Sequence, residues 1–199
     1  MEKGIEIIKK ITSDISKQLN INFKISSEAE IQLSSLLKNK TYRQKEIIIK
    51  QGEFCNKLYF VETGLIRQFY FKKNRDITED FADEGKIFSV AESYLKNEPS
   101  LLNIETLEKT SVYYFEYQDL DHLASINPEV QYFYRCMNSV AILVSNFKIT
   151  SLRYETAKER YEKFIKFFPN VAKKAPLQYI ASYLHMTKES LSRVRAGKL

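Results

Sequence analysis

From Val130 onward this chain repeats a step of three and then four residues: Val130, Phe133, Met137, Val140, Val144 and Phe147, followed by Ser151 and Tyr154. Such spacing is the a/d seam of one helix of roughly 25 residues, and a seam of this kind packs against another helix in coiled-coil fashion. No second heptad segment exists in the sequence. The simplest partner is therefore the same helix of a second copy, related by a two-fold axis, with those six apolar residues as the dimer interface. Packing of the helix on its own domain is the alternative, because Tyr134, Ile142 and Ile149 supply a further apolar stripe.

The seam opens at Asn127-Pro128, and the texture before it differs. Up to about residue 40 the pattern is helical: Ile5, Ile8, Ile11, Ile15 and Leu19 recur at helical steps, and Ser27 and Glu30 have capping-box spacing. Between Thr41 and about Tyr117 come short runs rich in Ile, Val, Tyr and Phe, broken by Gly52, Gly64, Asn74 and Gly85. Strands so spaced, without long helices between them, argue for an antiparallel roll or sandwich rather than a parallel α/β sheet. Inside this region SVAESYLKNEPSLLN reads as a short helix and loop, and the carboxylates Glu79, Asp80, Asp83 and Glu84 read as a solvated turn. The fold class is thus α+β.

After the seam, Thr156 and Glu159 form a capping box that marks a fresh helix from Lys158 to about Phe168, stopped by Pro169. Pro176 can sit in the first turn of a helix running through Leu184, and Thr187 can cap the next one. Two helices joined so tightly make a helix-turn-helix when the packing residues are correctly placed. Here Ile180 and Leu184 bury one side of the first helix, Ala181 is small enough to be crossed over, Met186 plugs the turn, and Leu191 and Val194 anchor the second. His185 stands where the turn favours φ > 0 and a Gly is usual. The recognition helix, about 187–197, then turns Thr187, Lys188, Glu189, Ser192, Arg193 and Arg195 outward. Arg can pair bidentately with guanine O6/N7 and Glu can accept from cytosine N4 in a major groove.

Charge agrees with that placement. Residues 1–152 hold 20 Lys+Arg against 21 Asp+Glu, whereas residues 153–199 hold 11 against 4, so the net +6 resides in the last quarter. A neutral body with a basic end suits a polyanion, since neutralising phosphates releases counterions. Cys55 and Cys136 are far apart and lie in no CxxC or Cys/His cluster, so neither a structural zinc nor an iron–sulfur cluster is expected. The sequence has no GxGxxG, P-loop, GxSxG or HExxH, and only two His, so an enzyme is not expected. No apolar run reaches the roughly 18 residues of a membrane span, and the start lacks a signal-peptide core, so a cytoplasmic protein without membrane partners is the expectation.

Lead-in helices, a β-roll, a long helix, a capped hinge and a terminal helix-turn-helix in this order resemble the bacterial catabolite activator / fumarate–nitrate regulator (Crp/Fnr) family. The resemblance is most specific in INPEVQYFYRCMNSVAILVSNF and IASYLHMTKESLSRV. It implies a jelly-roll-type cyclic-nucleotide-binding-like unit with its lead-in helices over 1–128, a dimerisation helix and hinge over 129–155, and a DNA-binding domain over 156–199. Only Arg195 to Leu199 follow the recognition helix, so a full wing is not expected. The family's Arg/Lys-Glu-x-x-x-Arg run lands on Lys188, Glu189 and Arg193, which implies double-stranded DNA and a second copy as partners, with RNA polymerase a further candidate. In cyclic-nucleotide-binding members a Gly-Glu pair holds the ribose and an Arg-Ser pair the phosphate. Aligned from Gly85, those positions hold Ser89-Val90 and Ser100-Leu101, and the base-contacting pair on the long helix becomes Ser145 and Asn146. Both charged contacts are missing, so the pocket is degenerate: no cyclic nucleotide or other cofactor is expected in the usual mode, and any effector is unidentified. The alternative function is a ligand-binding dimer or interaction scaffold whose basic C-terminus makes nonspecific polyanion contacts.

Overall fold

The computed structural model describes residues 2–198; Met1 and Leu199, the last residue of the short tail, lie outside the described residues. Helix α1 (Glu2–Leu19) is amphipathic and buries Ile7, Ile8, Ile11 and Ile15. Helix α2 (Ser27–Leu36) starts one residue earlier in its cap than the spacing suggests. Ser26 is the N-cap and accepts from the Ala29 N–H, and its own N–H and hydroxyl donate to Glu129 rather than to a Glu of α2.

Eight strands follow: β1 (Lys38–Tyr42), β2 (Ile47–Ile49), β3 (Lys57–Thr63), β4 (Leu65–Lys72), β5 (Arg75–Asp83), β6 (Ile87–Phe88), then helix α3 (Ala91–Lys96), β7 (Asn103–Thr106) and β8 (Thr110–Glu116). They form two four-stranded antiparallel sheets, ordered β1-β8-β3-β6 and β2-β7-β4-β5. Between the sheets lie Ile49, Cys55, Tyr59, Val61, Ile66, Ile104 and Val112. The β3–β4 turn rests on Gly64, with φ +109°, where a Cβ would come within 2.4 Å of the Thr110 hydroxyl. Only glycine meets both demands.

The acidic stretch after Arg75 is strand as far as Asp83, and only Glu84 lies in the exposed turn expected of the four carboxylates. Leu65 pairs with Asp83, Arg67 with Phe81 and Gln68 with Asp80, after which the register skips to Phe69 with Thr78. Glu79 is the extra residue of a β-bulge. Pairing along β4 overrides the low strand propensity of the acidic residues, and Asp83 is buried, its carboxyl pushed up by desolvation.

Helix α4 (Tyr117–Ile126) leads into α5 (Pro128–Tyr154), capped by the Asn127 side chain. The seam on α5 has a different owner along its first half from the one expected. Val130, Phe133 and Met137 are buried against α1, α2 and α4, with Ile8, Ile11, Phe23, Leu33 and Leu120 as neighbours, and Val140 is partly buried there. Periodicity records that a stripe is covered without recording by which chain. Val144 and Phe147 remain exposed. A second seam, Gln131, Arg135, Asn138, Ile142, Ser145, Ile149 and Leu152, advances by 4, 3, 4, 3, 4 and 3 residues and is exposed throughout.

Thr156 and Glu159 close the expected capping box at the start of α6 (Ala157–Phe167). Pro169 does not merely stop that helix: it opens a short one, α7 (Pro169–Lys174), which sequence pattern alone did not suggest. The chain ends in α8 (Leu177–Tyr183) and α9 (Lys188–Arg195). No described helix is long and apolar enough to cross a membrane.

Candidate nucleic-acid interface and roll cavity

Two short helices alone would not hold together, so the geometry of their joint matters. After α8 the backbone closes a Schellman motif: the Met186 N–H donates to the Ala181 carbonyl and the His185 N–H to the Ser182 carbonyl, each at 3.0 Å. His185 takes φ +53°, the left-handed conformation that the motif requires. Ile180, Ala181, Leu184, Leu191 and Val194 are all buried, which fixes the crossing of α9 over α8. His185→Gly is expected to relieve the left-handed strain and stabilise the fold by about 1 kcal/mol, raising Tm by about 2–4 °C in a thermal melt. A fall in Tm would mean that the exposed imidazole makes a contact of its own.

Thr187 caps α9 by accepting from the Ser190 N–H at 3.1 Å. Leu191 and Val194, three residues apart on the inner face, leave Thr187, Lys188, Glu189, Ser192, Arg193 and Arg195 exposed along the opposite one. Among the described residues no salt bridge engages Lys188, Arg193 or Arg195. The Glu189 backbone N–H and the Thr187 side chain hold the Glu189 carboxyl below its usual range, leaving it ionised as an acceptor at neutral pH. Behind this unit Arg160 donates to the Leu184 carbonyl at 3.1 Å and to the Glu155 carbonyl at 2.7 Å, tying the hinge to the turn of the motif.

The helix pair does not hang free. Leu65 and Phe81 of the roll join one apolar cluster with Phe164, Val171, Ile180, Ala181, Leu184 and Leu191. Beside it Arg67 is 1% exposed, its guanidinium donating to Asp76 at 2.7 and 2.9 Å, to Glu105 at 2.7 Å and to Thr78 at 3.2 Å. The ring of Phe69 lies 4.0 Å from the guanidinium carbon and the ring of Tyr179, on α8, lies 3.5 Å from it. Neither the central role of Arg67 nor its aromatic cover was apparent from sequence.

The other side of the same strands walls a cavity of about 450 Å³, lined by Gln51, Tyr70, Phe71, Glu79, Val90, Glu92, Ser93 and the segment 98–102. It brings together Val90, Ser100 and Leu101 of the expected pocket. Gly85 lies apart, at a turn beside Lys10, and Ser145 and Asn146 are exposed on α5 outside the lining. Three carboxylates, Glu79, Glu92 and Glu98, line the cavity, and no Lys or Arg does. Sequence reasoning missed Tyr70, Phe71 and Glu79. The aromatic run Phe69-Tyr70-Phe71 at the end of β4 was the available signal for Tyr70; the bulge at Glu79 left none.

Residues 39–127 match the family model described as the cyclic nucleotide-binding domain. Three solved structures extend the likeness past the roll. FixK2 from Bradyrhizobium japonicum is 21% identical with a TM-score of 0.66, over 81% of this chain and 83% of that one. A putative transcriptional regulator of the Crp/Fnr family from Eubacterium rectale is 15% identical with a TM-score of 0.62, over 87% and 83%. This chain has the Crp/Fnr fold. The catabolite activator protein of Thermus thermophilus, 19% identical with a TM-score of 0.53 over 87% of this chain and 83% of that one, shares the Crp/Fnr arrangement. No curated protein matches the sequence. The cavity lies within the matched stretch, and α9 lies outside it.

Proposed function

We propose that this chain is a homodimeric, sequence-specific DNA-binding transcriptional regulator, with a roll and lead-in helices over 1–128, a dimerisation helix and hinge over 129–155, and a DNA-binding unit over 156–199. The observation that carries this reading is α9: a capped helix, anchored by Leu191 and Val194, whose outer face offers Lys188, Glu189, Ser192, Arg193 and Arg195 to solvent without ion-pair partners among the described residues. Such a face fits a major groove, with Arg193 as the bidentate guanine reader, Glu189 as an acceptor toward cytosine, and Lys188 and Arg195 toward phosphate or base edges. Resemblance to solved regulators of the Crp/Fnr family supports the same assignment.

The second copy is placed against the exposed seam of α5 rather than against the buried one. Ile142, Ile149 and Leu152 form its apolar part, continued by Val144 and Phe147 on the adjoining face. The roll cavity acts as an effector site or a relic of one. It does not take a cyclic phosphate in the family's way, because three carboxylates face a ligand whose charge no lining cation would compensate.

The test is Arg193→Ala on a duplex selected from a random pool. Loss of a bidentate contact is expected to cost about 1–3 kcal/mol, roughly five- to 150-fold in affinity, and to relax preference at one base position per half-site. Uniform weakening across all sequences would instead assign Arg193 to phosphate.

A further inference from the structure

The roll cavity holds two kinds of polar group, and the fold uses them differently. Its hydroxyls are engaged in the wall itself. Ser93 donates to the Glu98 carbonyl at 2.6 Å and accepts from the Cys55 N–H at 3.0 Å. Ser100 donates to the Leu102 carbonyl at 2.7 Å, while its backbone N–H and carbonyl bond to Glu53 and Gly52, each at 2.8 Å. A hydroxyl has one proton to donate, so neither serine has one left for a ligand's phosphate. The wall is preformed, as ligand cavities usually are. The carboxylates, by contrast, face outward into it. Glu79 and Glu98 enter no salt bridge among the described residues, and Glu92 pairs only with Lys96, one turn along α3.

Apolar surface stands open beside these carboxylates. Phe71 is 57% exposed and Leu101 67% exposed although both line the cavity, and Tyr70 extends the same wall. A ligand that fits carries positive charge for the carboxylates and hydrocarbon for the rings. One compact cation is a poor match, because among the described residues no three acidic, His or Cys side chains are grouped so as to hold a metal ion. The three carboxylates come from β5, from α3 and from the loop after it, and so place charge at several points rather than one. We propose that the cavity binds an aliphatic polyamine, its ammonium groups paired with Glu79, Glu98 and Glu92 and its methylene segments laid on Tyr70, Phe71 and Leu101.

This rests on the reading of the cavity as an effector site rather than a relic, and adds the class of ligand. Each part of a polyamine meets matching chemistry there. An ammonium makes charge-assisted hydrogen bonds to a carboxylate, and the face of an aromatic ring attracts a cation. The methylenes cover ring and leucine surface that is otherwise wet. The β-bulge has a part in this, since Glu79 is the extra residue by which β5 turns a carboxylate toward the cavity. Indiscriminate attraction of a polycation is disfavoured by the net charge of +6, so tight binding requires a local acidic site.

Spermidine is the probe, titrated calorimetrically into the purified full chain without DNA at about 50 mM salt, low enough to leave exposed ion pairs measurable. Magnesium chloride supplies charge without methylenes, octanediol supplies methylenes without charge, and cyclic AMP presents a cyclic phosphate. Spermidine is expected to bind once per chain, and Glu79→Gln with Glu98→Gln to weaken it about three- to thirtyfold, in line with two partly exposed ion pairs. Phe71→Ala is expected to weaken it about two- to fivefold through the lost ring. Glu6→Gln with Glu28→Gln makes the same change in net charge on α1 and α2, away from the cavity, and is expected to leave the affinity unchanged. All five positions are exposed, so the fold survives each change. Equal weakening by the two charge variants, or displacement of spermidine by an equal concentration of magnesium, would reveal a diffuse acidic surface and overturn the polyamine site. Binding of octanediol or cyclic AMP in place of spermidine would also overturn it, while leaving an effector site in the roll. Binding of none of the four would overturn it and leave the cavity a relic.

Discussion

Ile142→Glu combined with Ile149→Glu is expected to convert the proposed dimer to a monomer and to weaken binding to a duplex with two half-sites by on the order of a hundredfold or more. Both side chains stand on the exposed seam of α5, 61% and 46% accessible in the single chain, so charging them leaves the fold of the subunit intact. In a paired helix the same charges would face their symmetry mates in an apolar seam, where a desolvated carboxylate without a partner is disfavoured. Loss of affinity follows from lost bivalency: once one recognition helix is seated, its partner searches at an effective concentration in the millimolar range. Sedimentation equilibrium and titration of the same samples check the two effects together. A monomer that binds as tightly as the wild type would disconnect dimerisation from DNA binding, and a variant that remains dimeric would move the interface elsewhere. Phe133→Glu makes a useful contrast, because Phe133 is fully buried in its own subunit and its substitution is expected to unfold the chain rather than to dissociate it.

Arg67→Met is expected to be the most damaging single change in the roll, at about 3–5 kcal/mol, enough to lower Tm by roughly 10 °C. The guanidinium satisfies Asp76 and Glu105 at once and lies against the rings of Phe69 and Tyr179. Removing it leaves two carboxylates near one another with no cation between them, which costs more than the pair contributes when intact. Lysine is a poor substitute, because an ammonium has neither the planar fork that grips Asp76 through two nitrogens nor a face to stack on Tyr179. Arg67→Lys should therefore fall between wild type and Arg67→Met in a denaturant titration. If Arg67→Met were as stable as the wild type, the carboxylates would have to be relieved by water entering beneath Tyr179, and the contact between the roll and α8 would be looser than its geometry indicates.

Much of this architecture was legible in the residues because its signals are local. Thr156 with Glu159, and Thr187 before Lys188, mark helix starts through hydrogen bonds that span three residues. Ile180, Ala181, Leu184, Leu191 and Val194 define the helix-turn-helix by spacing alone, and all five are buried. What was illegible depended on contacts far apart in the chain. The stripe from Val130 to Met137 is regular enough for a dimer seam, yet α1 and α2, from the start of the chain, cover it. Arg67 becomes a buried hub only when Asp76 and Glu105, 9 and 38 residues away, reach it. The acidic residues Glu79, Asp80 and Asp83 read as turn because a bulge at Glu79 breaks the alternation that marks a strand. For the cavity, the segment aligned from Gly85 holds part of the wall, while Tyr70 and Glu79 arrive from the neighbouring strand pair.

Sequence-specific reading of DNA by α9 is the central claim, and selection of fragments from a random duplex pool by the purified protein at about 150 mM salt tests it most directly. At that salt, nonspecific phosphate attraction is already weakened, so enrichment reports base contacts and shape rather than charge. The account predicts a two-fold symmetric sequence with half-sites about one helical turn apart, bound at least a thousandfold or so more tightly than a scrambled duplex of the same length. A pool that remains random, or an enriched duplex bound no more tightly than its scrambled counterpart, would contradict it and leave a basic helix that touches polyanions without reading them.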